Sequence, residues 1–541
     1  MRSRTSKNWP KNIGMVFEHF AGAQRPVFHL DRPFDIAPEG GTRYTVADLA
    51  DLIARTSGAL SEAGLGPGDR MAVVKDNNLD VIVLAAAAAR IGVLPALITP
   101  AVRTEHLPIM LERLDPKAVI ASPGVLEAAE QSGSPLAGPQ VTLIVAGRGR
   151  VPGGTVAFAD LPAGEAPPAT PRPDHEAMIC THTSGTTGAP KLVAHSANTM
   201  LGVIKRMEAM NRLPGLAFRP DDVMASCIAF VHGRAIAWIV QQLVQPPGEV
   251  VALSDSEPDN VAATLGARPP TIVESCPNIF QRWEGLTSSH PQVFRRVRAY
   301  LNTFDAIHPS TVRKFVTTSE RRVVVWGQAW GQSETGPICM GVLTRRKVLR
   351  SEGASTPVTH YVGRSIPFVS RVRVVAPSDR RKLPRGEEGI VLVKTHGRCI
   401  TYLGEDERYR EKLWDGWWNT GDIGVKTRSG LIRLVDREVD TIPGASGIEL
   451  ESLLLERVRN ATEIIVLGVP GRRPLPVVST HDGDLDPAIW ENATKGLPEM
   501  DPPVLIAWEE FPRTGTWKVR RHELREKVLD TTETHGTGRW T

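Results

Sequence analysis

Between Tyr44 and Val145 the chain switches repeatedly between helical and strand-like patterning, and this alternation restricts the fold more than any other feature. From Tyr44 to Leu65 apolar residues recur at helical spacing. The segment ends in Gly64-Leu65-Gly66-Pro67-Gly68-Asp69, a helix stop followed by a turn. The strand-like run Met71 to Val74 follows at once. A second helical segment, Asp80 to Arg90, leads through Gly92 to the strand-like Pro95 to Ile98, and Ala118 to Ala121 and Leu143 to Val145 are further short apolar runs. The order predicts an α/β protein whose helices cover a sheet. A Pro-rich connection over 161–173 separates this region from the next, and residues 220–330 alternate again. Gly386-Glu387-Glu388-Gly389 before Ile390 to Val393 reads as a turn and strand of a smaller β-rich unit. The last hundred residues mix the strand Ile464 to Val469 with charged helices.

The richest chemistry lies at Thr183-Ser184-Gly185-Thr186-Thr187-Gly188-Ala189-Pro190-Lys191, between the apolar run Ala177 to Ile179 and a helix expected from about Ser196. Glycines let backbone N–H groups approach an anion, the hydroxyls donate further hydrogen bonds, and Lys191 adds charge, which suits a polyphosphate. The spacing is not GxxxxGK[ST], so a P-loop NTPase is not the reading. Read alone, the stretch is better taken as an ordinary flexible Gly/Thr linker. A second string, Trp330-Gly331-Gln332-Ser333-Glu334-Thr335-Gly336, follows the strand-like Arg322 to Trp326 and is expected on a loop at a strand's C-terminal end, where ligands of open α/β sheets collect. An aromatic face there can stack on adenine, a hydroxyl can bond phosphate, and a carboxylate can hold Mg²⁺.

Composition narrows the class. The formal net charge is only +4, from 64 basic and 60 acidic residues, which argues against nucleic-acid or membrane-surface binding. The longest apolar run, Val81 to Ala89, falls well short of the roughly 20 residues needed to span a bilayer. No apolar segment follows the basic start Met1-Arg2-Ser3-Arg4, so a secretory signal is not expected. Cys180, Cys227, Cys276, Cys339 and Cys399 are widely spaced without a CxxC, which predicts reduced thiols in the cytoplasm and no zinc site.

Taken together, these strings resemble the signatures of the ANL superfamily, the acyl-CoA synthetases, peptide-synthetase adenylation domains and luciferases that activate a carboxylate as its acyl-AMP. Residues 183–191 resemble the phosphate loop, with Leu192 where the family usually has glycine. Residues 330–334 resemble YGxTE, with Trp330 and Ser333 as substitutes. Asp415-Gly416-Trp417-Trp418-Asn419-Thr420-Gly421-Asp422 resembles dGWyxTGD, and Asp436-Arg437-Glu438-Val439-Asp440 falls where the family has GRxDD. Pro512-Arg513-Thr514-Gly515-Thr516-Trp517-Lys518 resembles PrTxxGK, with Trp517 in place of glycine.

The resemblance implies an α/β protein: a large N-terminal domain with stacked sheets over 1–437, and a small mobile α+β C-terminal domain over 438–541. It implies adenylation of a small-molecule carboxylic acid with ATP and Mg²⁺ and release of pyrophosphate. Thr183, Ser184, Gly185, Thr186, Thr187, Gly188, Lys191, Trp330, Gly331, Gln332, Ser333, Asp422 and Arg437 would hold the nucleotide, with Asp422 on the ribose hydroxyls. Glu334 would hold Mg²⁺. Lys518 would bridge the attacking carboxylate and the α-phosphate. Phe230-Val231-His232-Gly233-Arg234 resembles an aromatic-His gate beside the acyl pocket, with His232 catalytic. Phe304 and Asp305 fall where many relatives have glycines, which implies a small or polar pocket completed by Phe230 and Arg234.

The departures concentrate in the region that relatives use to rotate the small domain and pass the acyl group to a thiol. Val439 stands at the hinge aspartate, and Ile442-Pro443-Gly444-Ala445-Ser446-Gly447 lacks the family's lysine. The second step therefore stays open among transfer to CoA, the family's commonest outcome, a non-thiol acceptor as in diazotases that activate nitrite for an aromatic amine, and a catalytically silent nucleotide-binding relative.

Overall fold

The structure, a computed structural model, describes residues 8–529 apart from 134, 135, 137, 139, 184–188, 209–216, 353–355, 438–441, 443, 444, 470 and 516. The chain is α/β and forms two compact units: one of Met1–Glu274, Ser333–Gly336 and His396–Glu411, the other of Ser275–Gln332, Pro337–Thr395 and Lys412–Thr541.

In the first unit an eight-stranded sheet runs in the order Thr401–Tyr402, Leu192–Ser196, Ala177–His182, Leu94–Ile98, Arg70–Val74, Ala118–Ala121, Thr142–Val145 and Val156–Ala157. Its centre is parallel, pairing Arg70–Val74 with both Leu94–Ile98 and Ala118–Ala121. Parallel strands covered on both faces need continuous apolar runs, which is what these segments supply. The helix Val46–Glu62 starts at a Thr45 capping box closed by Asp48, which satisfies end groups that the helix itself cannot. The helix Asp80–Arg90 is buried from Asp80 to Ala89, so the long apolar run is an inner helix of the fold. A separate set of strands pairs Val27–Leu30 in parallel with Glu249–Ala252, which in turn pairs with Val223–Cys227.

In the second unit the order is Ser370–Val375, Glu388–Thr395, Trp417–Lys426, Ile432–Arg437, Tyr361–Ser365, Gly336–Thr344, Val325–Gln332 and Ala299–Asn302. Long antiparallel pairings dominate here, notably Glu388–Thr395 with Trp417–Lys426. A buried aromatic cluster fills its core: Trp326 stacks on Tyr300 at 5.2 Å, Phe280 and Phe315 meet edge-to-face at 5.2 Å, and Phe280 lies tilted 4.9 Å from Trp326. Residues beyond 460 form their own three-stranded sheet, Ala461–Leu467, Leu475–Thr480 and Val504–Leu505. Among the described residues no helix is long and apolar enough to cross a membrane.

The 330–336 string departs from its expected loop. Trp330, Gly331 and Gln332 finish the strand Val325–Gln332, and only Ser333, Glu334 and Thr335 form the turn before Gly336–Thr344. Gly336 adopts φ +61°, so glycine is what lets the next strand begin so soon.

Candidate active site

In the first unit the phosphate string joins two antiparallel strands, Ala177–His182 and Leu192–Ser196. Its ends are pinned together. The Thr183 N–H donates to the Lys191 carbonyl at 3.1 Å, and the Lys191 N–H donates to Thr183 Oγ1 at 3.1 Å. Ser184, Gly185, Thr186, Thr187 and Gly188 lie outside the described residues, as does Val439. Ser196 ends the second strand and caps the helix Ala197–Met207, as the sequence suggested.

The turn 333–335 is fastened to this hairpin. His195 is fully buried and its Nε2 donates to the Ser333 carbonyl at 2.7 Å; burial lowers its pKa, so the ring is neutral at neutral pH. The Tyr402 hydroxyl donates to Glu334 Oε1 at 2.7 Å, and the Cys399 N–H donates to the Glu334 carbonyl at 2.7 Å. Lys191 Nζ sits 5.2 Å above the Tyr402 ring, within the range of a cation–π contact. Tyr402 therefore touches both Lys191 and Glu334, the carboxylate expected to hold Mg²⁺. Sequence reasoning missed it, along with His195. A single carboxylate suits Mg²⁺, which keeps waters and substrate oxygens as its other ligands.

His232 caps the helix Gly233–Val244, its Nδ1 accepting from the Arg234 N–H at 3.0 Å. That bond places the proton of the neutral ring on Nε2, which faces Ser333 Oγ at 3.4 Å. With Nε2 as the donor, His232 cannot take the Ser333 proton, so the pair is not a serine nucleophile with its base. The Arg234 guanidinium is held by both oxygens of buried Glu274, at 2.6 and 2.7 Å. Phe230 is fully buried.

In the second unit, neighbouring strands place Asp422 directly opposite Arg437. Arg437 Nε donates to Asp422 Oδ1 at 3.2 Å. Gln332 Nε2 donates to Oδ2 at 3.0 Å and to the Thr420 carbonyl at 2.7 Å, while Trp418 Nε1 donates to Gln332 Oε1 at 3.4 Å. Gln332, expected among the nucleotide contacts, orients the acid. Burial raises the Asp422 carboxyl above its usual range, and the charges of Arg437 and Lys518 and the two hydrogen bonds oppose that rise. Lys518 thus stands within Coulombic reach of Asp422. Trp330 is half-buried and makes no ring contact with another aromatic among the described residues. Phe304 has φ +83°, a left-handed backbone conformation that favours glycine, and Asp305 beside it is exposed.

Comparison with known proteins gives the family. A family model described as AMP-binding enzyme matches residues 22–403. The chain is 35% identical over 549 residues to a 3-amino-2-hydroxy-4-methoxybenzoate diazotase of Streptomyces cremeus, covering 95% of each chain. It is 25% identical to a long-chain-fatty-acid–CoA ligase of Thermus thermophilus, covering 90% of each. Among solved structures, ATP-bound MatB from Rhodopseudomonas palustris superposes with a TM-score of 0.74 at 22% identity, over 96% of this chain and 99% of that one.

Proposed function

Because the chain belongs to the AMP-binding enzyme family, we propose that it is an ATP-dependent diazotase, adenylating nitrite and delivering the activated nitrogen to an aromatic amine. A nitrite oxygen attacks the α-phosphorus as the bond to pyrophosphate breaks, giving the mixed anhydride O=N–O–AMP. The amine nitrogen then attacks the nitroso nitrogen, the N–O bond breaks, and AMP leaves with the bonding electrons. The N-nitrosamine, having lost a proton, tautomerises to a diazohydroxide, which on protonation loses water to give the diazonium ion. No external oxidant or reductant is required.

The observation that carries the first step is the arrangement around Asp422, a buried acid aligned by Arg437 and Gln332 with Lys518 in electrostatic reach. Such an acid suits the ribose hydroxyls, and a lysine near it suits two anions that repel each other at the α-phosphate. Trp330 would stack on the adenine, and Glu334, oriented by Tyr402, would hold Mg²⁺ beside the phosphates. The acceptor is supported by the 35% identical diazotase and by the departures at Val439 and in the loop that follows. The functional boundary falls near Arg437, a placement supported by the separate sheet and core that the C-terminal residues build. Five buried cysteines, none of them in a disulfide, fit a reducing cytoplasm.

The test supplies an aminobenzoate, MgATP and either nitrite or CoA. The proposal expects nitrite-dependent release of AMP and pyrophosphate, with a diazonium trapped as an azo dye by a naphthol. CoA-dependent AMP release with a thioester, and none with nitrite, would replace it with a CoA ligase.

A further inference from the structure

The residue immediately before Lys518 is held in an unfavourable backbone conformation by side chains from three other segments. The Trp517 N–H donates to the Thr514 carbonyl at 2.9 Å, the Thr514 N–H donates to the Lys518 carbonyl at 2.8 Å, and Arg513 bridges to Val519 across the hairpin. In a hairpin of this type the last turn residue adopts a left-handed conformation and is usually glycine. Here it is Trp517 at φ +64°, where a Cβ crowds the backbone.

What offsets the strain is a clamp. Trp517 stacks on Trp508 with ring centroids 5.6 Å apart and planes at 26°. The Arg282 guanidinium lies 5.4 Å from the Trp508 ring and 5.3 Å from Trp517, and Arg513 lies 4.3 Å from Trp508. Arg513 Nη1 donates to the Trp517 carbonyl at 3.2 Å, and its Nη2 donates to Glu463 at 2.9 Å in a pair almost fully withdrawn from water. Asn278 also donates to Glu463, and Asn278 and Arg282 share the short helix Pro277–Arg282. Both the ring and the carbonyl of Trp517 are therefore fixed, and Lys518 leaves the turn in one direction.

We propose that Trp517 is a positioning residue that aims Lys518 at the reacting oxygens, with Arg282 and Trp508 as its clamp. The inference rests on the adenylating role of Lys518. A glycine would tolerate the backbone angle more easily than tryptophan does, so the ring is retained for what it holds rather than for the turn itself.

The experiment measures pyrophosphate release at saturating nitrite or acid, with ATP varied, for the wild type and for Trp517→Gly, Trp517→Phe, Arg282→Ala and Lys518→Ala. Since a misplacement of about 1 Å can cost about 100-fold, Trp517→Gly should lower kcat by about 30-fold or more with KM for ATP nearly unchanged. Its melting temperature should change little, because glycine removes the strained turn together with the clamp that offsets it. Trp517→Phe, which keeps a stacking ring, should recover most of the rate, and Arg282→Ala should reproduce part of the loss. Wild-type kcat in Trp517→Gly, or equal losses in Trp517→Gly and Trp517→Phe, would overturn the inference while Lys518→Ala stays inactive. Full activity in Lys518→Ala would instead remove the reading on which the inference rests.

Discussion

Arg437 and Asp422 face each other across two antiparallel strands, joined by a 3.2 Å hydrogen bond, and Gln332 holds the second oxygen of the same carboxylate. The acid is thus aligned at a cost, because burial raises its pKa despite both partners. A raised carboxyl contributes stability that is complete below the ordinary aspartate range and is lost as pH rises through the folded value. Ionising Asp422 at neutral pH therefore costs the fold stability. Asp422→Asn should therefore melt no lower than the wild type at neutral pH, yet the rise in melting temperature on adding ATP should largely vanish. Hydrogen bonds to a charged acceptor contribute about 1.5–3 kcal/mol, so ATP affinity should fall by about 10- to 100-fold. Calorimetric titration reads this directly, and unchanged affinity would remove Asp422 from the ribose site.

Trp330→Ala should raise KM for ATP by about 10-fold while changing the single-turnover rate at saturating ATP little, since stacking holds the base equally before and during reaction. A collapse in that rate at unchanged affinity would contradict the role.

Tyr402→Phe removes the donor to Glu334 and keeps the ring beneath Lys191. The adenylation rate should fall by about 10-fold, the worth of one charge-assisted hydrogen bond, and Tyr402→Ala should fall further because the ring is lost too. Equal rates in both variants, at the wild-type level, would leave Tyr402 a core residue.

The second unit carries a buried chain in which Ser452 Oγ lies 3.0 Å from His308 Nδ1 and 3.1 Å from His360 Nε2. Burial pushes His308 down to about 4 and His360 to about 3; Asp305 draws the first up, while Arg521 lowers it and Arg433 lowers the second. Folded values below the unfolded 6.5 mean that stability is present above 6.5 and is lost as pH falls toward the folded values. Each histidine should add a slope of about 1.4 kcal/mol per pH unit within that window. Denaturant titrations at pH 7, 6 and 5 should show the slope in the wild type and a shallower one in His308→Gln with His360→Gln; parallel curves would refute it.

The residues proposed for nucleotide binding and catalysis stand out in the sequence because their chemistry is concentrated in short strings. Asp422, Glu334, Lys191 and Lys518 each sit in a run whose residue types have few other uses together. The alternation from Tyr44 onward likewise reads as α/β because parallel strands need uninterrupted apolar runs. What the sequence hides are contacts between distant segments. Tyr402 lies 68 positions from Glu334 in a run, Cys399 to Leu403, with no chemical signature of its own. Gln332 reads as a nucleotide contact, and nothing in the sequence signals that it also donates to Asp422. Trp517 is visible only as a missing glycine, since Arg282, Trp508 and Glu463 come from separate parts of the chain.

The most direct measurement of the central claim follows oxygen. With [¹⁸O]nitrite, MgATP and an aromatic amine, attack by nitrite at the α-phosphorus and later cleavage of the N–O bond leave a nitrite oxygen on AMP. Mass spectrometry should find one ¹⁸O in the AMP of each turnover, and none with Lys518→Ala because no AMP forms. AMP carrying no oxygen from nitrite, while a labelled carboxylic acid does donate its oxygen to AMP, would contradict the account and make this chain a carboxylate-adenylating enzyme.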